Sequence, residues 1–218
     1  MTVRTNSGLQ MFMESAIGAA KTITAISQAA PGVVSSTAHG FTNGDIVLLE
    51  VQGMLELHGR LFKVVNAATD SFQLAGPDGS TGLATTDFTA FTSGTAKEIT
   101  LGTTITGCMD FNAAGGDIKT IDATTVHDTQ DVEVVVGATA QSYDMTVQWD
   151  PAAASQQAMK AAFIARANKA FKIKWPDGAY ILFYGTVGYT GAPGGGKQGV
   201  TTSPAKISML GSLTEYVA

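Results

Sequence analysis

The chain has 218 residues, 44% of them hydrophobic and only 14% charged, with a net charge of −5. That is enough apolar sequence to bury a core in one or two domains, and a charge fraction well below the usual ~25% suits a surface partly covered by partners. The single Cys108 excludes an internal disulfide and cannot alone build a zinc site, and no run approaches the ~18 apolar residues of a membrane span, so a soluble protein made in a reducing cytoplasm without conventional export is expected.

Taken in chain order, "LQMFME" (9–14) predicts a short strand, and "AIGAAKTITAIS" leads from it into a run of β signals. "GVVSS", "DIVLLEV", "GRLFKVV" and "SFQLAG" are strand-like runs separated by turns at His39-Gly40, Asn43-Gly44, His58-Gly59 and residues 68–71. Short strands at this spacing predict a small antiparallel barrel or sandwich. Residues 76–94 are loop-rich, and Lys97 and Glu98 mark a junction. From Ile99 a second β-rich region begins with "EITLGTTITG", "DIKTIDATTV", "DVEVVVG" and "SYDMTVQW". In the last of these Tyr143, Met145, Val147 and Trp149 share one face, alternating with polar Asp144, Thr146 and Gln148.

One helix is expected next, with Asp150 as N-cap and Pro151 at the first helical position, running through 152–170. Met159, Phe163, Ala167 and Ala170 trace its apolar stripe, with Ile164 beside it, so it should lie on a sheet. "FKIKW" (171–175) and "AYILFYGTVGY" (179–189) flank the turn Pro176-Asp177-Gly178 and predict a hairpin. A glycine-rich stretch (191–203) follows, and "AKISMLGSLTEYV" closes the chain as a strand.

Catalytic signals are weak. "GAPGGGKQ" (191–198) matches seven of the eight positions of a phosphate-binding loop, but Gln198 replaces the Ser or Thr that places a magnesium ion. Gly199 and Pro204 after it oppose the helix that such a loop must open, so the stretch reads as a long hairpin loop with Lys197 exposed. His39, His58 and His127 lack ligand spacing, and no Gly-x-Ser-x-Gly occurs. Charge is patterned instead. Eight acids between Asp110 and Asp150 face one base, Lys119, a net of −7, and Lys160, Arg166, Lys169, Lys172 and Lys174 follow with no acid among them. Such a reversal suits head-to-tail association of copies, while the overall negative charge argues against tight nucleic-acid binding. No calcium loop pattern occurs among the acids; paired glycosidase carboxylates and a plain acidic face are the other readings.

The order of elements in residues 1–21 and 99–218 resembles the major tail tube protein of long-tailed (siphovirus-type) bacteriophages. The features are "SGLQMFME", the β run ending in "SYDMTVQWDP", one helix, "FKIKWPDGAYILFYGTVGY", a glycine-rich loop and a last "KISMLGSLTEY" strand. Residues 22–98 are similar to the small β-barrel module named after the first catalytic-cysteine half-domain of ubiquitin-activating enzymes, through His39-Gly40-Phe41, Asn43-Gly44-Asp45, Gly53-Met54, Leu57-x-Gly59 and "SFQL". That segment has no cysteine, so no ubiquitin chemistry is implied.

The resemblance implies a mainly β fold: a tail-tube β-sandwich or barrel with one amphipathic helix (1–21 and 99–218), carrying an inserted small β-barrel (22–98). It implies a non-enzymatic subunit of stacked hexameric rings with neither cofactor nor metal, located in the virion tail and assembled in the host cytoplasm. Expected partners are copies of the chain, a tape measure protein and transient DNA in the lumen, and tail terminator and tip proteins, with no membrane. Six copies would carry about −30 per ring, and an acidic wall would not retain DNA. Candidate lumen acids are Asp110, Asp117, Asp122, Asp128, Asp131, Glu133 and Asp144. Candidate ring-joining segments are Thr124 to Gln141, including His127, and Gly191 to Ser203, including Gly195, Lys197 and Gln198. A baseplate, neck or fibre component whose module binds a host surface is the alternative.

Overall fold

The structure, a computed structural model, describes residues 7–127 and 129–217. The strands are β1 (Gln10–Met13), β2 (Ala16–Ile17), β3 (Lys21–Ile23), β4 (Ala25–Ile26), β5 (Val34–Ser35), β6 (Ile46–Gln52), β7 (Arg60–Val65), β8 (Ser71–Leu74) and β9 (Ser93–Thr100). They continue with β10 (Thr103–Ile105), β11 (Cys108–Ala114), β12 (Ile118–Asp122), β13 (Glu133–Ala138) and β14 (Ser142–Gln148). The helix α1 (Ala154–Ala165) precedes β15 (Asn168–Lys174), β16 (Tyr180–Gly188), β17 (Thr202–Met209) and β18 (Thr214–Tyr216). The chain is mainly β with one α-helix among the described residues, as its alternating apolar runs predict.

Two eight-stranded sheets carry the structure. One has the order β10-β1-β15-β16-β17-β14-β11, with β18 also on β16; the other has β2-β9-β6-β7-β8-β5-β4, with β3 also on β9. In the second sheet, the segment 21–26 pairs with β9 through β3 and with β5 through β4. The strand order thus returns on itself through a segment interrupted at Thr24, and the expected small barrel is not continuously closed. Its core includes Val47, Met54, Leu57, Phe62 and Phe72. His39 is a structural residue of this core: its Nδ1 accepts the Phe41 N–H at 2.9 Å, so its Nε2 donates to the Ser71 carbonyl at 3.2 Å.

The first sheet buries residues from β1, β10, β14, β15, β16 and β17 against α1, including Met13, Ile105, Val147, Phe171, Phe183, Ile207 and Met159. A twelve-residue helix is about 18 Å long, whereas seven strands span about 29 Å. One helix cannot cover that width, so the sheet must curl over its own apolar face to bury both ends.

The helix is shorter than its sequence suggests. Its N-cap is Ala153; Asp150 instead shapes the preceding turn, where its carboxylate accepts the Ala152 N–H at 2.9 Å. It ends at Arg166, a non-glycine residue with φ of 52° in the left-handed region. Ala167 and Ala170 are therefore not helical, and the buried face is Ser155, Gln156, Met159 and Ala162, while Phe163 and Ile164 are exposed. Helix propensity favours continuation through Ala170, but Ala170, Phe171 and Ile173 are claimed by β15, and pairing with β16 wins. The period-two face of β14 stops at Val147; Trp149 is partly exposed, its indole N–H donating to the Gly191 carbonyl.

Strand alternation makes β16 the wall between two cores. Ile181, Phe183 and Val187 point into the core that α1 covers. Leu182, with Tyr180 and Tyr184 beside it, points the other way, onto Leu48, Leu61, Val65 and Ile99 of the second sheet. Helix and second sheet therefore lie on opposite faces of the first. The joint is stitched by the C-terminal strand. Arg60 donates to the Leu213 carbonyl at 3.2 Å and Thr214 Oγ1 at 3.3 Å, and the Tyr216 hydroxyl accepts the Lys63 N–H at 2.9 Å. Gly211 lies where a Cβ would come within 3.3 Å of the Gly59 carbonyl oxygen, so the turn before Arg60 seats in the break between β17 and β18.

Glu14 ties β1 to the same region. It is buried, its carboxylate accepting Lys169 Nζ at 2.8 Å and the Ala170 N–H at 3.2 Å. Glu14→Ala leaves a buried N–H and an ammonium without partners, and is expected to cost about 3 kcal/mol in urea denaturation. Glu14→Gln, which keeps an acceptor for the N–H, should recover part of this loss.

Candidate assembly surfaces

The region between β11 and β14 leaves the sheet altogether. Among the described residues β12 and β13 pair only with each other, and every residue of both is exposed. The departure is set by Gly115, whose φ is +83° and whose would-be Cβ collides with the Ala140 carbonyl oxygen. Ile121 faces Val134 across the ladder, and a register shift between Lys119 and Thr120 breaks the strict alternation. Ile118, Ile121, Val132, Val134, Val135 and Val136 stay in solvent, with Val135 63% exposed. A lone two-stranded hairpin is marginal in water, and contiguous exposed apolar surface marks a contact site.

The predicted residues divide between this hairpin and the sheet. Asp117, Asp122, Asp131 and Glu133 are exposed on or beside the hairpin; Asp128 lies outside the described residues. At the tip the Asp122 carboxylate accepts the Thr124 N–H at 2.8 Å, and the Thr124 hydroxyl accepts the Val132 N–H. Hydrogen bonds from the Thr124 side chain and backbone hold the Asp122 carboxyl below its ordinary range. His127 is exposed there, its N–H donating to Thr125 Oγ1 at 3.4 Å. Gln141 closes the hairpin base, its carbonyl accepting the Met209 N–H. Thr124 to Gln141 is therefore largely the tip and second strand of a hairpin.

Asp110 and Asp144 lie on the sheet, facing a shallow groove of about 440 Å³ with Asn112, Thr190 and Lys206. Asn112 Nδ2 donates to Asp110 at 2.9 Å, and Lys206 Nζ pairs with Asp144 at 3.2 Å. This groove shares its face with Leu182 and Tyr184, on the half of the sheet that the second sheet leaves uncovered.

The Gly191–Ser203 stretch folds as a small loop closed by the Gly194–Thr202 bridge, with a turn from Gly196 to Gly199. Gly195, Lys197 and Gln198 are exposed, whereas Ser203 is buried in β17, its hydroxyl donating to the Ala192 carbonyl. The residues after Lys197 enter β17, and the helix a phosphate loop requires does not form. Among the described residues no three His, Cys, Asp or Glu side chains gather to hold a metal, and no helix is long and apolar enough to cross a membrane. Cys108 is half-buried at the edge strand β11, where burial pushes its thiol up.

Three features escape sequence reasoning. The buried Glu14–Lys169 pair, the Tyr216 anchor and the grouping of Lys63 with Lys172 and Lys174 all join residues far apart in the chain. The bare hairpin did leave a signal: "VEVVV" lacks the alternation of a half-buried strand.

Among the described residues the first sheet ends in the unpaired edges of β10 and β11, and the apolar β12–β13 hairpin stands free of it, features that suit association with other chains. The chain belongs to the phage tail tube protein family, whose model matches residues 52–218. It is thus a component of the bacteriophage tail. Among solved structures, it is similar to a chain of the tail of an empty GTA particle determined by helical refinement with C6 symmetry, at 17% identity and a TM-score of 0.40, over 53% of this chain and 85% of that one. A search of curated proteins finds no match. The family match begins inside the second sheet, and nothing in these comparisons matches residues 22–98 to the ubiquitin-activating half-domain.

Proposed function

We propose that this chain is the repeating subunit of a tail tube that conducts DNA. Copies pair head to tail through the β10 and β11 edges into a hexameric ring, which removes both open edges. Rings stack through the β12–β13 hairpin and the Gly191–Ser203 loop. The family match over residues 52–218 carries this reading, and the unsupported hairpin supports it, because only another molecule can cover it.

In this assembly Asp110 and Asp144 line the lumen together with the hairpin acids, and α1 lies at larger radius. Lys206 offsets Asp144, so on the sheet itself Asp110 carries the wall's negative charge. Residues 22–98 form an inserted module similar to the ubiquitin-activating half-domain, packed against the β15–β16 part of the sheet. A tape measure protein fills the lumen before DNA, and terminator and tip proteins cap the two ends. The subunits assemble in the host cytoplasm.

Negative-stain microscopy of the purified chain tests the reading. Hollow tubes are the expected result, and discrete particles at all concentrations would overturn it in favour of a baseplate, neck or fibre role. A reconstruction with Lys160 to Lys174 lining the channel would overturn the lumen assignment.

A further inference from the structure

A lysine cluster at the joint between the two sheets has no carboxylate partner among the described residues. Lys172 and Lys174 sit two apart on β15, opposite Leu182 and Tyr180. Lys63 joins them from β7: its N–H reaches the Tyr216 hydroxyl, and the Tyr216 ring packs 4.8 Å from that of Tyr180. Lys172 Nζ stands 4.4 Å over the Tyr180 ring and Lys63 Nζ donates to the Gly79 carbonyl, but none of the three has a carboxylate partner among the described residues. Burial, and then the charges of Lys174 and Lys63, push the Lys172 ammonium below its ordinary range. All three side chains remain partly exposed. Gathering three ammonium groups costs stability unless an anion from outside offsets them.

The topology says which anion can arrive. β15 lies near the β10 end of the sheet, and the acidic hairpin leaves from the β11 end. A head-to-tail ring sets the β11 end of one copy beside the β10 end of the next. The heights agree as well. The hairpin departs at the row Ala114–Ser142–Ser208–Thr186, and β16 runs on six residues past that row to Tyr180, about 20 Å, which is the level of Lys174. Residues 115–122 reach about 26 Å, enough to bring Asp122 and Glu133 to that level.

We propose that the hairpin of one copy lies across Lys63, Lys172 and Lys174 of the next copy in the same ring, its acids pairing with their ammonium groups. This contact rests on the ring reading above. It gives the hairpin a lateral role besides stacking, and it makes the joint between the sheets part of the subunit interface.

Charge reversal tests it in the full-length chain. Lys172→Glu with Lys174→Glu should raise the concentration needed for tube formation about tenfold or more, and adding Asp122→Lys with Glu133→Lys should bring it back towards the wild-type value. Sedimentation and negative stain give the readout. If reversal lowers the melting temperature, Lys172→Gln with Lys174→Gln, whose threshold should rise in the same direction, replaces it. Assembly of the reversed or neutralised chain at the wild-type threshold would overturn the proposal, and so would a quadruple variant no better than the double. Loss of binding to a single-stranded DNA oligonucleotide with assembly unchanged would overturn it too, in favour of a nucleic-acid patch. Wild-type tubes alongside any of these results would leave the ring reading standing, whereas a wild-type chain that never assembles removes both.

Discussion

A chain carrying Ile121→Asp and Val134→Asp is expected to fold normally and fail to form tubes. The two side chains face each other on the free hairpin, and both are exposed in the single subunit. Their replacement should therefore shift the melting behaviour of the unassembled chain by no more than about 0.5 kcal/mol each. In an assembly the same positions would be buried, and each apolar side chain then contributes about 1.5 kcal/mol or more. Losing two, and forcing two carboxylates into the contact, should raise the assembly threshold at least about a hundredfold. Thermal denaturation of the monomer together with microscopy across a concentration series checks both halves. Tubes at the wild-type threshold would show that the hairpin is not the contact, and a large loss of monomer stability would show that it packs on its own subunit.

Tyr216→Ala should have the largest effect on the isolated subunit. Tyr216 is 2% exposed, pairs with Tyr180 on β16 and packs its ring at a tilt against that of Tyr180, and accepts the Lys63 N–H. Truncation empties the joint between the sheets and removes the acceptor of a part-buried N–H, a loss of about 3–5 kcal/mol. The single melting transition expected of the wild-type chain should split in two, as the cores around Phe72 and Phe183 lose their coupling. Tyr216→Phe separates the hydroxyl from the ring and should cost about 1 kcal/mol.

That variant also has a signature in alkali. Burial pushes the Tyr216 phenol well above its usual range, and burial raises those of Tyr143, Tyr180 and Tyr184 as well. The folded chain thus holds these protons more tightly than the unfolded chain. Stability is full below the unfolded phenol's value of about 10 and declines as pH rises above it. Denaturation at a series of alkaline pH values should show a shallower decline for Tyr216→Phe than for the wild type.

Local pattern made much of this molecule legible in the sequence. Alternation in "SYDMTVQW" and the Pro-Asp-Gly turn before "AYILFYGTVGY" fix β14, β15 and β16, because each depends on neighbours a few residues away. The helix is shorter than its sequence predicts for the complementary reason: residues 166–170 have helix-compatible chemistry, and the pairing of β15 with a strand that comes later in the chain decides against it. The short strands β2 to β4 in "AIGAAKTITAIS" were indistinct because each owes its conformation to β5 or β9. Among the candidate site residues, the acids were visible as a charge run, but a charge run does not say which members sit on a sheet and which ride on a projecting hairpin. Lys63, Lys172 and Lys174 stayed hidden because two sheets must meet before they become neighbours.

The alternation of β16 also bears on how such a chain can change over generations. Consecutive residues of one strand answer to two different parts of the molecule: Ile181 and Phe183 to the tube core, Leu182 and Tyr184 to the joint. A descendant that shed residues 22–98 would inherit a stripe of leucine and tyrosine facing water on an otherwise sound sheet. Deletion alone is therefore a poor evolutionary step, and loss of that segment should travel with polar replacements at every second position of the strand.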